Sequence, residues 1–351
     1  MMTQRHMKTL LVTGGAGFLG SLLLKRLTDD GHQCISIDLH PHEFTHPFLT
    51  TVQGDIRDEA TLDQIFSRYK FDGILHCAAI LAHGVKDQTF LWTSNVDGTR
   101  RVADAAIRYG VPRLVFTSSN CLWGESLGRP VGEHEAPNPV ELYGHSKLEG
   151  EKILMERRGE LDSIILRCPT IIDSGRLGLL TILFEFIDEG RRVWTVGGGR
   201  NKYQFIYAQD LVDACLRCLD HDRTDTFHVG SDNVKSIRDV YAHVIRKAGS
   251  RSTIGALPEQ PALFAMRVAH SLRISPLGPY HYKMIAEDFS FDTNKIKGVL
   301  GWRPTLTNEE MLWRAYEYYS DNRREIEARK DVSAHRKAAN MGVIRLLKWV
   351  S

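Results

Sequence analysis

The chain has 351 residues, room for one large domain or two unequal ones at roughly 100–200 residues each. Lys and Arg total 45 against 43 Asp and Glu, a formal charge of +2 that leaves no electrostatic footprint for a polyanion and argues against nucleic acid as partner. An apolar share of 42% with 25% charged residues excludes a largely disordered chain. No uninterrupted apolar run reaches the roughly 18 residues that a membrane span needs. The richest stretch, Thr9 to Leu24, is broken by four glycines and reads as strand, turn and helix rather than as a signal peptide. Six cysteines without secretory features predict reduced thiols in a cytoplasm.

In chain order, strands are predicted at Thr9–Thr13, Cys34–Asp38, Thr51–Gly54, Gly73–Ala78, Arg113–Ser118 and Ser163–Arg167. Each is short and apolar throughout, the mark of a strand buried on both faces. Amphipathic segments separate them, among them Phe18–Asp30, Glu59–Tyr69 and Asn95–Tyr109. This alternation predicts an α/β fold, a doubly wound parallel sheet with helices on both faces. Beyond Arg167 the rhythm loosens. Helices are expected at Leu177–Glu189, Gln209–Leu219 and Ser236–Ala248, with a short strand at Thr226–Val229. We read residues 1–170 as a nucleotide-binding domain to which 201–232 return, and 171–200 with 233–315 as a smaller substrate lobe. The tail from Asp321 to Ser351 holds eight Lys/Arg against four acids and ends in an apolar run broken by Arg345 and Lys348. Such a basic amphipathic end suits peripheral contact with an anionic membrane. The plainer reading is a helix docked on its own domain or on a partner.

The segment Gly14-Gly15-Ala16-Gly17-Phe18-Leu19-Gly20 follows the first strand and opens the first helix. Gly14, Gly17 and Gly20 are spaced to permit the turn, the approach of backbone N–H groups to a pyrophosphate, and close helix–sheet packing. The helix N-terminus then offers its free donors and positive dipole end to the phosphates. Asp38 ends the second strand, where an acid accepts from the adenosine ribose hydroxyls and repels a 2′-phosphate, so NAD is favoured over NADP. Asp55 and Ile56 follow the third strand, and Ala78 and Ala79 close the fourth, all at the carboxyl edge of the sheet.

Tyr143 and Lys147 stand four residues apart, hence on one face of a helix. The neighbouring cation is expected to stabilise a phenolate and draw the tyrosine down from about 10 toward the working pH. A phenol so tuned shuttles a proton while the cofactor moves a hydride. Upstream, Thr117-Ser118-Ser119-Asn120 closes the fifth strand and supplies a hydroxyl for the same substrate oxygen.

Together these residues resemble the extended short-chain dehydrogenase/reductase family, the NAD-dependent nucleotide-sugar epimerases and dehydratases. The likeness covers roughly residues 8–315 through Thr13–Gly20, Asp55-Ile56, Cys77-Ala78-Ala79, Asn95, Thr117–Gly124, Tyr143–Lys147, and Arg167 with Pro169. It implies a Rossmann-type sheet domain, Ser119, Tyr143 and Lys147 as catalytic residues, and Lys147 on the nicotinamide ribose. It also implies cofactor contacts at Phe18, Leu19, Asp55, Ile56, Ala78, Ala79, Asn95 and Pro169, beside the glycines and Asp38, and a homodimer.

Departures from the family pattern narrow the chemistry. The trio Ser119-Asn120-Cys121 lacks the acid with which the dehydratases remove water. Thr170 stands where the sugar-nucleotide enzymes carry asparagine, and Tyr203 where they carry a diphosphate-binding arginine. A nucleotide diphosphate needs cationic or N–H clamps. Either Arg200, Lys202, Arg273 and Lys283 provide them, or the substrate is not a sugar nucleotide. Substrate contacts are expected at Ser119, Asn120, Cys121, Thr170, Arg200 and Lys202, with Glu133 and Glu135 as loop acids. No metal site is expected: Cys215 and Cys218 read as core residues, and His40, His42 and His46 as a solvated loop. The expected activity is NAD-dependent epimerisation of a nucleotide-linked sugar through a transient ketone. The alternatives are net dehydrogenation of a sugar or hydrophobic hydroxy compound, and a non-catalytic NAD-binding scaffold.

Overall fold

The computed structural model describes residues 7–81, 87–176, 178, 180–272 and 279–328. In order, the first half runs β1 (Thr9–Thr13), α1 (Phe18–Asp29), β2 (Gln33–Asp38), β3 (Leu49–Gln53), α2 (Glu59–Arg68), β4 (Gly73–His76), α3 (Gln88–Asn95), α4 (Asp97–Arg108), β5 (Arg113–Ser119), α5 (Leu142–Glu156) and β6 (Asp162–Cys168). The rest runs β7 (Thr170–Ile172), α6 (Leu180–Asp188), β8 (Val193–Val196), β9 (Phe205–Tyr207), α7 (Ala208–Leu219), β10 (Asp225–His228), α8 (Ile237–Lys247), β11 (Ile254–Leu257), α9 (Glu259–Ser271), α10 (Pro279–Ala286), α11 (Asn294–Leu300) and α12 (Asn308–Ala328).

Seven strands form one parallel sheet in the order β10-β6-β5-β4-β1-β2-β3. The order reverses between β1 and β4. There the carboxyl ends of neighbouring strands lead to opposite faces and open a crevice. Residues alternate across β1: Leu10 and Val12 pack with Leu23, Leu27 and Leu211 of α1 and α7. Leu11 packs on the other face with Leu62, Phe66 and Val102 of α2 and α4. Burying one such side chain is worth about 1.5–3 kcal/mol, so both faces contribute to holding the glycine loop in place.

One expectation needs correction. β3 is not buried on both faces: it is the sheet edge, with Thr51 and Gln53 exposed. The amphipathic segment expected over Asn95–Tyr109 is α4, and α3 lies upstream of it, ending at Asn95, whose carbonyl accepts from the Thr99 hydroxyl at 2.6 Å. A hydroxyl bonding back one turn competes with the helical amide for that acceptor.

A second core gathers Ile172, Phe184, Phe205, Val244, Met311 and Tyr319 from β7, α6, β9, α8 and α12. α7 and β10 rejoin the main sheet, β10 pairing with β6. α12 runs past the point where the tail was expected to begin, and Ile326 is buried in the second core. Residues 329–351, the rest of that segment, lie outside the described residues. Among the described residues no helix is long and apolar enough to cross a membrane.

Candidate active site

The glycine loop fits its expected task sterically. Gly14 sits at φ +72°, and a Cβ there would stand 2.7 Å from the Ala78 backbone. A Cβ on Gly20 would lie 2.1 Å from the Gly14 carbonyl oxygen, and one on Gly17 3.1 Å from it. The N-cap of α1 is Gly17, with no side-chain bond to the first helical amides, so those donors remain for a ligand. Asp38 reaches the loop itself: its carboxylate accepts from Ala16 N at 3.0 Å and from His40 N at 2.9 Å. A backbone cradle with uncapped donors, floored by glycines and flanked by an acid, fits a dinucleotide with a free ribose diol.

On the neighbouring wall, Ile56 is buried against Gly98. Asp55 is held by the guanidinium of Arg57, Nη2 donating at 2.6 Å, and this pairing lowers its carboxyl below the usual range. Arg57 also donates to Thr93 Oγ1 and stacks over Phe90, so the Asp55 carboxylate is already engaged within the chain. β4 ends at His76, leaving Ala78 and Ala79 half-buried beyond it. Burial pushes His76 down to about 3, and the neutral ring bridges Thr13 and Thr99. The Asn95 amide accepts from Ile80 N at 2.7 Å and donates to Ile80 O and to Ser146 Oγ, each at 3.0 Å. Asn95 thus ties the segment after β4 to α5.

Ser119 closes β5, and its Oγ accepts from Cys121 N at 3.1 Å, capping the short turn Asn120–Leu122. The start of α5 lies hard against that turn: a Cβ on Gly144 would meet the Cys121 carbonyl oxygen at 2.3 Å. This glycine lets the helix bearing Tyr143 and Lys147 approach the strand end bearing Ser119. Lys147 is buried, its Nζ standing 3.9 Å from the centroid of the Phe116 ring. Desolvation pulls its ammonium down to about 8. The same burial drives the Tyr143 phenol above its ordinary value, with the Cys121 and Cys168 thiols adding to the rise. Here the structure departs from expectation, because desolvation outweighs the neighbouring charge. The cation opposing the rise is Arg176, past the end of β7, whose guanidinium stacks over Phe18 at 5.2 Å.

The substrate side is assembled differently from the sequence expectation. Asn120 Nδ2 donates to the Tyr203 hydroxyl at 2.6 Å. Beside this pair a small cavity is walled by Trp123, Phe289, Glu125 and Glu287. Arg200 and Lys202 do not line it. Arg200 is exposed, with Nε donating to Gly197 O at 3.2 Å, while the Lys202 backbone N–H bonds Asp288 at 2.6 Å. Thr170 Oγ1 lies 3.9 Å from the Met284 sulfur, next to buried Pro169. Arg273 lies outside the described residues. Glu133 is occupied by the His228 amide and Glu135 by Arg129. Cys215 and Cys218 are buried in the main core.

Sequence reasoning missed Arg57, Arg176 and the Asn120–Tyr203 bond, which link segments far apart in the chain. It also missed Glu151, although a carboxylate one turn beyond Lys147 on an otherwise apolar face was a usable signal.

The family model described as the NAD dependent epimerase/dehydratase family matches residues 10–230. The chain is 34% identical to y4nG of Sinorhizobium fredii, over 98% of this chain and 87% of that protein. It is 30% identical to the UDP-glucose 4-epimerase of Mycolicibacterium smegmatis, over 88% of this chain and 97% of that one. Among solved structures it resembles the UDP-glucose 4-epimerase of Thermotoga maritima with UDP-glucose, at TM-score 0.74 and 24% identity, covering 90% of this chain and 99% of that chain. It also resembles the Bordetella bronchiseptica enzyme WbmG in complex with NAD, at TM-score 0.75 and 20% identity, covering 97% and 100%. At such identities the structural likeness speaks for the fold. With the glycine cradle, the family match and the full-length relatives in agreement, the chain belongs to the NAD-dependent epimerase/dehydratase family, enzymes of the extended short-chain dehydrogenase/reductase type with NAD as cofactor.

Proposed function

We propose that this enzyme inverts a carbinol centre of a nucleotide-linked sugar by removing and returning hydride at one carbon. The observation that supports the reading is the close approach of the start of α5 to the turn after β5, one strand away from the sheet's switch point. When bound, NAD supplies a two-electron hydride acceptor. Ser119 Oγ holds the substrate oxygen, and Tyr143 takes the hydroxyl proton and later returns it. The Lys147 ammonium stabilises the phenolate that this transfer needs, with Arg176 offsetting part of the burial that raises the phenol. Gly14, Gly17 and Gly20 seat the pyrophosphate against α1, with Phe18 and Leu19 beginning that helix, and Asp38 holds the ribose diol. Ser119-Asn120-Cys121 offers no acid to expel water, which favours epimerisation over dehydration. The substrate class leans on the relatives, two of which are named UDP-glucose 4-epimerases. We further propose a cytoplasmic homodimer pairing through α4 and α5.

A second reading, net oxidation or reduction of an alcohol without a nucleotide, is favoured by the acids rather than Arg200 and Lys202 at the cavity beside Asn120. Incubation with candidate sugars separates the two. Interconversion of isomers with exchange at one carbinol carbon and no build-up of NADH supports the epimerase, whereas stoichiometric NADH and ketone support the second reading. Tyr143→Phe lowers turnover by about 10²–10⁴-fold while NAD binding survives. Unchanged turnover in that variant removes Tyr143 from the chemistry, whereas no turnover in either protein beside intact NAD binding supports a non-catalytic NAD-binding role.

A further inference from the structure

Below the reacting face, α5 carries a third functional side chain in line with the first two. Glu151 stands one helical turn beyond Lys147 and two beyond Tyr143, and it is buried. Its Oε1 accepts from Ser118 Oγ at 2.5 Å and from Arg167 Nε at 3.0 Å, and its Oε2 accepts from Arg167 Nη2 at 2.6 Å. Arg167 is buried as well. Its guanidinium stacks over Trp123 at 5.1 Å and donates to the Glu133 carbonyl. Ser118 immediately precedes Ser119, and Arg167 lies opposite Ser118 in the β5–β6 register. The carboxylate therefore joins the helix of Tyr143 to two adjacent strand ends at once.

A buried ion pair is weak evidence for stability, because the loss of hydration about cancels the attraction. Its position relative to Lys147 is more informative. The groups acting on that ammonium are Glu151 on its own helix, His76 and Cys77 at and after β4, Cys121 after β5, and Cys168 at the end of β6. Burial pushes Cys77 up to about 12 and Cys168 to about 11, so these thiols carry no charge near neutral pH. His76 is neutral. The carboxylate in this group is Glu151.

We propose that Glu151 is a positioning residue of the active site: anchored by Arg167 and Ser118, it sets the strand end that carries Ser119 and supplies the counter-charge of the Lys147 ammonium. This rests on the reading that Tyr143 and Lys147 serve the reaction, and is independent of which sugar is used. Glu151→Gln keeps an acceptor for Ser118 and Arg167 but removes the charge. Because it leaves Arg167 buried without its anion, the double variant E151Q/R167Q is made beside it.

The Lys147 titration is followed in the full-length protein by ¹⁵N NMR of labelled lysine Nζ, assigned against Lys147→Met. In both variants it moves down by about one pH unit. The alkaline limb of turnover moves down with it, so activity lost at neutral pH is recovered on acidification. Glu151 is overturned as counter-charge if the Lys147 titration stays in place, or if activity falls equally at every pH, as a packing strut would give. A displaced Lys147 titration in protein that turns over no sugar upholds the role of Glu151 and refutes the proposed reaction instead.

Discussion

The buried ammonium at the centre of this site lowers the stability of the fold, and replacing Lys147 by methionine releases that stability. Below about pH 8 the lysine is charged in both folded and unfolded chains, and only the folded one lacks water around it. The gap between about 8 in the fold and the ordinary 10.5 corresponds to about 3 kcal/mol, at roughly 1.4 kcal/mol per pK unit. Part of this is offset in the parent by the Phe116 ring under Nζ, worth about 0.5–2 kcal/mol. Methionine keeps the unbranched stem and sets a thioether over the same ring. Glu151 stays paired with Arg167, so no orphan charge is created. Lys147→Met should therefore stabilise the protein by roughly 1–3 kcal/mol at pH 7 while losing turnover. The sign of the pH dependence follows from proton counts. Between pH 8 and 10.5 the unfolded chain binds the extra proton, so the parent gains stability from this group as pH rises and the advantage of the variant shrinks to nothing by about 10.5. Urea unfolding of both proteins at intervals across that range measures the difference directly. A parent as stable as the variant at pH 7, or a gap that does not close with rising pH, refutes the reasoning.

Two further outcomes follow from the cofactor cradle. Gly20→Ala sets a methyl 2.1 Å from the Gly14 carbonyl oxygen and 2.7 Å from Gly15 Cα, so the loop must shift. NAD affinity, read by fluorescence titration, should fall at least about 10-fold, in line with the roughly 1–3 kcal/mol that overpacking costs. Affinity equal to the parent's would show that this loop does not seat the cofactor. Asp38→Asn keeps an acceptor for the Ala16 and His40 amides but removes the charge that repels a 2′-phosphate. Binding of NADP should strengthen relative to NAD, and an unchanged ratio would free Asp38 from that role.

Local chemistry was legible along the chain. β1 occupies the predicted Thr9–Thr13, and the glycine loop, Asp38 at the end of β2 and Ser119 at the end of β5 stand where strand periodicity and glycine spacing located them. The one-face placement of Tyr143 and Lys147 follows from helical geometry alone. These features are short-range: a strand end, a turn or a helical repeat is decided by neighbours within a few residues.

What tertiary structure alone decided is the environment of each group. That Tyr143 is pushed up rather than drawn down, that Asp55 is taken by Arg57, and that Asn120 is bonded to Tyr203 all depend on burial and on partners brought in by folding. The sequence determined which reactive groups exist and which face of which element bears them. The folded chain determined how much water each retains and which charges lie near it. Desolvation and Coulomb energies depend on three-dimensional distance, and distance along the chain does not encode it.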